Sequence, residues 1–128
     1  MLGMNGIDLG IDTGDYEILA DPLFDKVVYN LIENSLRHGG ESMSEVRFSV
    51  GEKDGRLILV YEDNGKGISY ENKEKVLIKG FGENTGYGLF LTENILSITG
   101  MKIHECGTPG KGVRFEIDVP KDRIRKAI

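Results

Sequence analysis

The sequence is poor in cysteine, in long apolar runs and in clustered charge, and each shortage removes a class of protein. Cys106 is the single cysteine among 128 residues, so no internal disulfide can form, and a reducing compartment fits. No apolar run approaches 18 residues and no signal-peptide pattern is present. A soluble, cytoplasmic chain is therefore expected, alone or as one piece of a membrane-anchored parent. Net charge is −5 with no block of like charges. That argues against a nucleic-acid partner and against direct contact with a membrane. Histidine is scarce too, with only His38 and His104.

Glycine is in excess. The 18 glycines are about twice the usual share, and they cluster in DNGKG, KGFGENTGYG and GTPGKG, which read as built loops. Hydrophobic residues at 39% and charged residues at 29% suit one globular domain with a real core.

Residues 21–39, DPLFDKVVYNLIENSLRHG, carry the strongest helical pattern. Asp21 is the predicted N-cap, Pro22 the first helical residue, and Gly39 and Gly40 the stop. Phe24, Val27, Val28, Leu31, Ile32 and Ser35 share one apolar arc, and Asn30, Asn34 and Arg37 line a polar stripe beside it. Asparagine disfavours helices, so two in mid-helix beside a cation suit a ligand: amide oxygens for a hard metal, Arg37 for a phosphate. A solvated face explains the same stripe equally well.

Strands are predicted over 45–50, 56–62, 101–106 and 112–119, with a short edge strand over 16–19. Residues 56–62 are apolar on both faces, which predicts a central position, and Asp54-Gly55 is a hairpin turn. A short polar helix is expected over 69–78 and a long one over 88–99, stopped by Gly100. Residues 1–13 read as a linker, 14–120 as the domain and 121–128 as a charged, fraying tail. The fold class is α+β: a two-layer sandwich of about five strands, mixed or antiparallel, with three helices on one face.

Three Gly-rich motifs could carry chemistry. Asp63-Asn64-Gly65-Lys66-Gly67-Ile68 ends a buried strand with a carboxylate that can accept from a purine amine, and its glycines let a flat ring approach the backbone. Taken alone it is also a common turn. Gly80 to Leu89 is a Gly-rich loop feeding a helix, whose free N–H groups and dipole favour an anion. Gly107 to Gly112 reads most simply as a tight hairpin.

The order of these pieces resembles the ATP-binding catalytic domain of sensor histidine kinases, of the superfamily shared with DNA gyrase, the heat-shock chaperone ATPase and mismatch-repair ATPases. The likeness covers about residues 14–120 and implies a Bergerat-type fold. It implies ATP and Mg²⁺ as cofactors, with Asn34 on the metal, Asn30 beside it, Arg37 on phosphate and His38 flanking the nucleotide. Asp63 would bind the adenine amine, with Gly65, Gly67 and Ile68 along the ring. Thr85, Gly86, Tyr87, Gly88 and Leu89 would hold phosphates and close a short, mobile lid over 69–85. Thr108, Gly110 and Gly112 would form the glycine hairpin near the base.

Three departures qualify the likeness. Only Phe81 remains of the lid's usual Phe-rich box, Tyr87 stands between two glycines where smaller side chains are common, and these 128 residues carry no helix pair with a phosphoacceptor histidine, which is expected on a separate domain. His38 would line the pocket and His104 reads as a strand residue. The implied activity is transfer of the γ-phosphate to a histidine on a separate dimerisation domain of the same parent protein, upstream of a response regulator. ATP-hydrolysing relatives carry a water-activating Glu at the position of Asn30, and an amide cannot remove a proton. Glu33 lies about 100° around the helix from Asn34 and points elsewhere. An ATPase or conformational clamp, and a nucleotide-sensing module without transfer, are the alternatives.

Overall fold

A computed structural model describes residues 8–12, 16–18, 21–41, 43–73, 75 and 88–126. Its elements are β1 (Asp8–Asp12), β2 (Tyr16–Ile18), α1 (Phe24–His38), β3 (Glu45–Lys53), β4 (Arg56–Asp63), α2 (Gly88–Ile98), β5 (Lys102–Glu105), β6 (Arg114–Asp118) and β7 (Ile124–Lys126). The fold is α+β. Strands β3, β4, β6 and β5 form an antiparallel run, and β1 joins β3 in parallel, giving the order β1-β3-β4-β6-β5.

Strand β4 is central, as its two apolar faces predict. Leu59 and Tyr61 face the main core with Val46, Phe48, Phe115 and Ile117, while Ile58 and Val60 are buried outside that cluster. Helices α1 and α2 cover the first face through Val27, Leu31, Ile32, Leu89, Ile95 and Leu96. Burying each of these side chains contributes about 1.5–3 kcal/mol. Phe48 and Tyr61 pair across the strands edge to face, with ring centroids 4.9 Å apart.

The chain departs from sequence expectation at several boundaries. Helix α1 begins at Phe24, not Pro22, because Asp21 makes a local turn: its Oδ1 accepts from the Leu23 N–H at 2.8 Å and its C=O from Phe24. Two α-helices lie among the described residues where three were expected. Of the helix expected over 69–78, they show a 3₁₀ turn at Tyr70–Asn72; residues 74 and 76–87 lie outside them. Residues 8–12, read as linker, form β1. Within the tail expected to fray, Lys121–Arg123 form a 3₁₀ turn and β7 pairs antiparallel with β2. Main-chain pairing creates both strands, and their sequences carry little alternation to announce it.

The close of α2 is as expected. Gly100 adopts φ +76, its N–H bonds to Ser97 O, and the Met101 N–H reaches Leu96 O at 3.0 Å. This Schellman ending buries Met101 against Leu96.

Candidate functional site

Three segments meet beyond the C-terminal end of β4: the end of α1, the turn at 63–68 and the hairpin between β5 and β6. The Lys66 N–H donates to Gly39 O at 2.9 Å, and Gly110 N–H to Lys66 O at 2.7 Å. Their approach depends on missing side chains. A Cβ at Gly65 would stand 2.5 Å from Gly39 O. Gly112, at φ +129, would place one 2.0 Å from Asp63 O. Asn64 fastens the turn from the other side, its Oδ1 accepting from the Ser44 and Glu45 N–H groups at 2.9 and 3.0 Å.

Asp63 is the centre of this arrangement and is buried. Its Oδ1 accepts from Gly65 N–H at 2.9 Å and Val113 N–H at 3.0 Å, and its Oδ2 from the Ser35 hydroxyl at 2.6 Å. The Ser35 oxygen also lies 2.5 Å from the Tyr61 hydroxyl. Serine has one proton and gives it to Asp63, so Tyr61 must donate to Ser35. Burial, reinforced by the Asp63 charge and opposed by the Ser35 bond, pushes the Tyr61 phenol up, which keeps it protonated for that role. Tyr61, Ser35 and Asp63 thus form a one-way chain of hydroxyl donors ending on a carboxylate. The carboxylate has about four acceptor positions. Three are filled, and the fourth, on Oδ2, suits an external amine.

The amide of Asn34 is half-buried and makes no hydrogen bond among the described residues. Asn30, one turn earlier, has its Nδ2 3.5 Å from Thr92 Oγ1 of α2. Arg37 is exposed and turned toward Glu33, Nε to Oε2 at 2.7 Å. An exposed pair of this kind contributes at most about 1 kcal/mol, so Arg37 can be drawn away at little cost. His38 is exposed at the end of α1. Gly67 and half-buried Ile68 continue the turn, Gly67 at φ +73 against Gly112 O. Gly110 and Thr108 belong to the hairpin, where Thr108 O accepts from the Lys111 N–H at 2.9 Å. Gly88 opens α2, and Leu89 is buried in the core. Thr85, Gly86 and Tyr87 lie outside the described residues.

A second buried acid holds the hairpin's base. Glu105 Oε2 accepts from the Gly107 and Arg114 N–H groups, each at 3.0 Å, while Oε1 pairs with Lys73 just after the 3₁₀ turn. Both charged side chains are largely removed from solvent. Sequence reasoning missed Glu105, Lys73 and the hydroxyls of Ser35 and Tyr61. The alternation of β5, which puts Glu105 on the core face with Ile103, is the one signal that pointed to any of them.

The donor set suits a nucleotide with a hard cation: a remaining acceptor position on Asp63 for a purine amine, and at Asn34 an amide with no hydrogen bond among the described residues for the metal. Among the described residues, no helix is long and apolar enough to cross a membrane.

Comparison with known proteins shows the family and the fold. The family described as histidine kinase-, DNA gyrase B-, and HSP90-like ATPase matches residues 20–123. The alginate biosynthesis sensor protein KinB of Pseudomonas aeruginosa is 29% identical over 125 residues, covering 89% of this chain and 20% of that protein. The sensor protein KdpD of Mycobacterium tuberculosis is 31% identical over 130 residues, covering 93% and 15%. This chain therefore spans about a fifth or less of these curated relatives. Among solved structures, the nucleotide-free catalytic domain of the histidine kinase ThkA is 26% identical with a TM-score of 0.73, covering 92% of this chain and 80% of that one. Full-length ShkA in complex with AMPPNP shares the fold at a TM-score of 0.78 and 20% identity, covering 95% of this chain and 26% of that one.

Proposed function

Because the chain belongs to the histidine kinase-, DNA gyrase B- and HSP90-like ATPase family, as an ATP-binding catalytic domain of the sensor histidine kinase type, we propose that it binds Mg²⁺-ATP and donates the γ-phosphate to a histidine on a separate dimerisation domain of the same parent protein. A response regulator would receive the phosphoryl group next, and the domain would work in the cytoplasm. The observation that carries this reading is the Asp63 carboxylate, held by three donors with one acceptor position remaining on Oδ2.

In this reading the adenine amine donates to Asp63, and the ring lies along Gly65, Gly67 and Ile68, near Thr108, Gly110 and Gly112. Asn34 binds Mg²⁺, Asn30 stands beside it, and His38 flanks the nucleotide. Arg37 leaves Glu33 for a phosphate oxygen. Residues 85–89 cover the phosphates, with Leu89 acting through its backbone because its side chain is buried in the core. Mg²⁺, when bound, neutralises phosphate charge as transfer proceeds; the protein's task is positioning. Asn30 offers no base to activate water, which favours transfer over hydrolysis.

The test uses γ-labelled ATP. The isolated chain should bind Mg²⁺-ATP yet remain unlabelled. Adding a helical domain with an exposed histidine from the same parent should give an acid-labile phosphohistidine on that domain. Rapid phosphate release by the chain alone would replace the kinase reading with an ATPase.

A further inference from the structure

The face of the sheet turned away from α1 and α2 carries a cluster that the nucleotide reading does not use. His104 in β5 and Cys106 just beyond it are two residues apart and share that face. Glu116 in β6 lies directly across from His104. One ligand atom from each of the three falls within 4.8 Å of the others, and no other such group occurs among the described residues. His104 Nε2 is 3.4 Å from Glu116 Oε1.

We propose that His104, Cys106 and Glu116 form a binding site for a borderline-soft divalent cation, Zn²⁺ being the best match. Thiolate, imidazole and carboxylate are its usual ligands, at about 2.0–2.3 Å. At tetrahedral angles those bond lengths put donors roughly 3.3–3.8 Å apart. The cluster must therefore close by about 1 Å, which side-chain rotation at exposed His104 and Cys106 can supply. Register sets His104 against Glu116 across the ladder, and Cys106, one residue past β5, is held by its N–H bond to Arg114 O at 2.7 Å. As the Zn–S bond forms, the Cys106 thiol releases its proton to solvent. A water completes the fourth position.

Two cations already contact the carboxylate. Lys53 Nζ is 3.0 Å from Glu116 Oε1, and Arg114 Nε is 3.0 Å from Oε2. They are not equivalent. The Lys53 side chain is half-exposed at the end of β3 and shares the oxygen that faces His104, so an entering metal displaces it into water. Arg114 keeps Oε2 and orients the carboxylate from behind, the part an outer-shell partner plays at a metal site. Asn34, on α1 across the sheet, offers an amide oxygen suited to a hard cation, so the two sites differ in place and in preference.

The test is titration of the whole chain, kept reduced, with Zn²⁺ by calorimetry and with Co²⁺ by absorption. One equivalent should bind, and Co²⁺ should develop a near-ultraviolet thiolate charge-transfer band. Cys106→Ser should abolish the band. His104→Ala should weaken Zn²⁺ at least about tenfold, the loss that even an outer-shell partner causes. Glu116→Gln endangers the fold, so Lys53→Gln tests the carboxylate: removing the competitor should tighten Zn²⁺ binding. Absence of stoichiometric binding, a Co²⁺ spectrum without the thiolate band, or unchanged affinity in Cys106→Ser and His104→Ala would overturn the site. Unchanged or weaker affinity in Lys53→Gln would remove Glu116 from it.

Discussion

The hydroxyl chain behind Asp63 makes a quantitative prediction about stability. Ser35→Ala deletes the bond to Asp63, an interaction with a charged group worth about 1.5–3 kcal/mol. It also strands the Tyr61 hydroxyl, on a side chain fully removed from solvent, at a further cost of about 1–3 kcal/mol. The expected loss is roughly 3–5 kcal/mol, a large part of a typical domain's stability. Tyr61→Phe keeps the shape and the Ser35–Asp63 bond, so it should cost about 1 kcal/mol. In the double variant no hydroxyl is stranded. Tyr61→Phe should therefore restore about 1–2 kcal/mol when added to Ser35→Ala, reversing the sign it has in the wild type. Urea unfolding of the four proteins, with unchanged m-values, measures this. If the two losses simply add within about 0.5 kcal/mol, the three groups do not form one chain and the reasoning fails.

Asp63→Asn should weaken ATP binding by about 1–3 kcal/mol in calorimetry, and wild type should bind GTP worse than ATP, since guanine carries a carbonyl oxygen where adenine carries its amine. Asn34→Ala should abolish the preference of ATP for Mg²⁺ over chelator; equal affinity of mutant and wild type in Mg²⁺ would take Asn34 out of the site. Gly112→Ala must relieve a Cβ placed 2.0 Å from Asp63 O at a backbone angle L-residues avoid, so melting should fall and ATP binding be lost together. Burial alone would raise the Glu116 carboxyl, but bonds from Lys53 and Arg114 outweigh it and lower it from 4.5 to about 2. That stabilisation is present above pH about 4.5 and is lost as pH falls toward 2. Lys53→Gln, which removes one of the bonds that lower the carboxyl, should show a smaller loss in metal-free melts across the window.

The place of Asp63, closing an apolar strand before a glycine turn, was legible, but that motif alone is a common turn and only the order of the motifs marked Asp63 as a candidate site residue. Ser35 was legible in position but not in role. It sits on the apolar arc of α1, and only the tertiary register of β4 brings Tyr61 and Asp63 to it. Arg37 reads as a phosphate ligand from its stripe, yet Glu33 four residues earlier is a favoured helical partner and holds it in the structure. Strands β1, β2 and β7 were faint or missing because their partners lie far away in sequence, where no window of periodicity reaches. Glu105 and Lys73 are joined only once the chain has folded.

The β2–β7 pair has a consequence in folding time. The β3–β4 hairpin joins Lys53 to Arg56 through Asp54 and Gly55, both at positive φ, and can close early as a local event. Pairing Tyr16 with Lys126 instead closes a loop of most of the chain. With about 0.6 kcal/mol lost per doubling of loop length, that closure costs roughly 3 kcal/mol more than the hairpin. Only three residue pairs repay it. The ribbon should therefore be the last sheet contact to form and the first to open. Its amides should exchange with solvent ahead of those in β4 while the Asp63 end of the sheet remains closed.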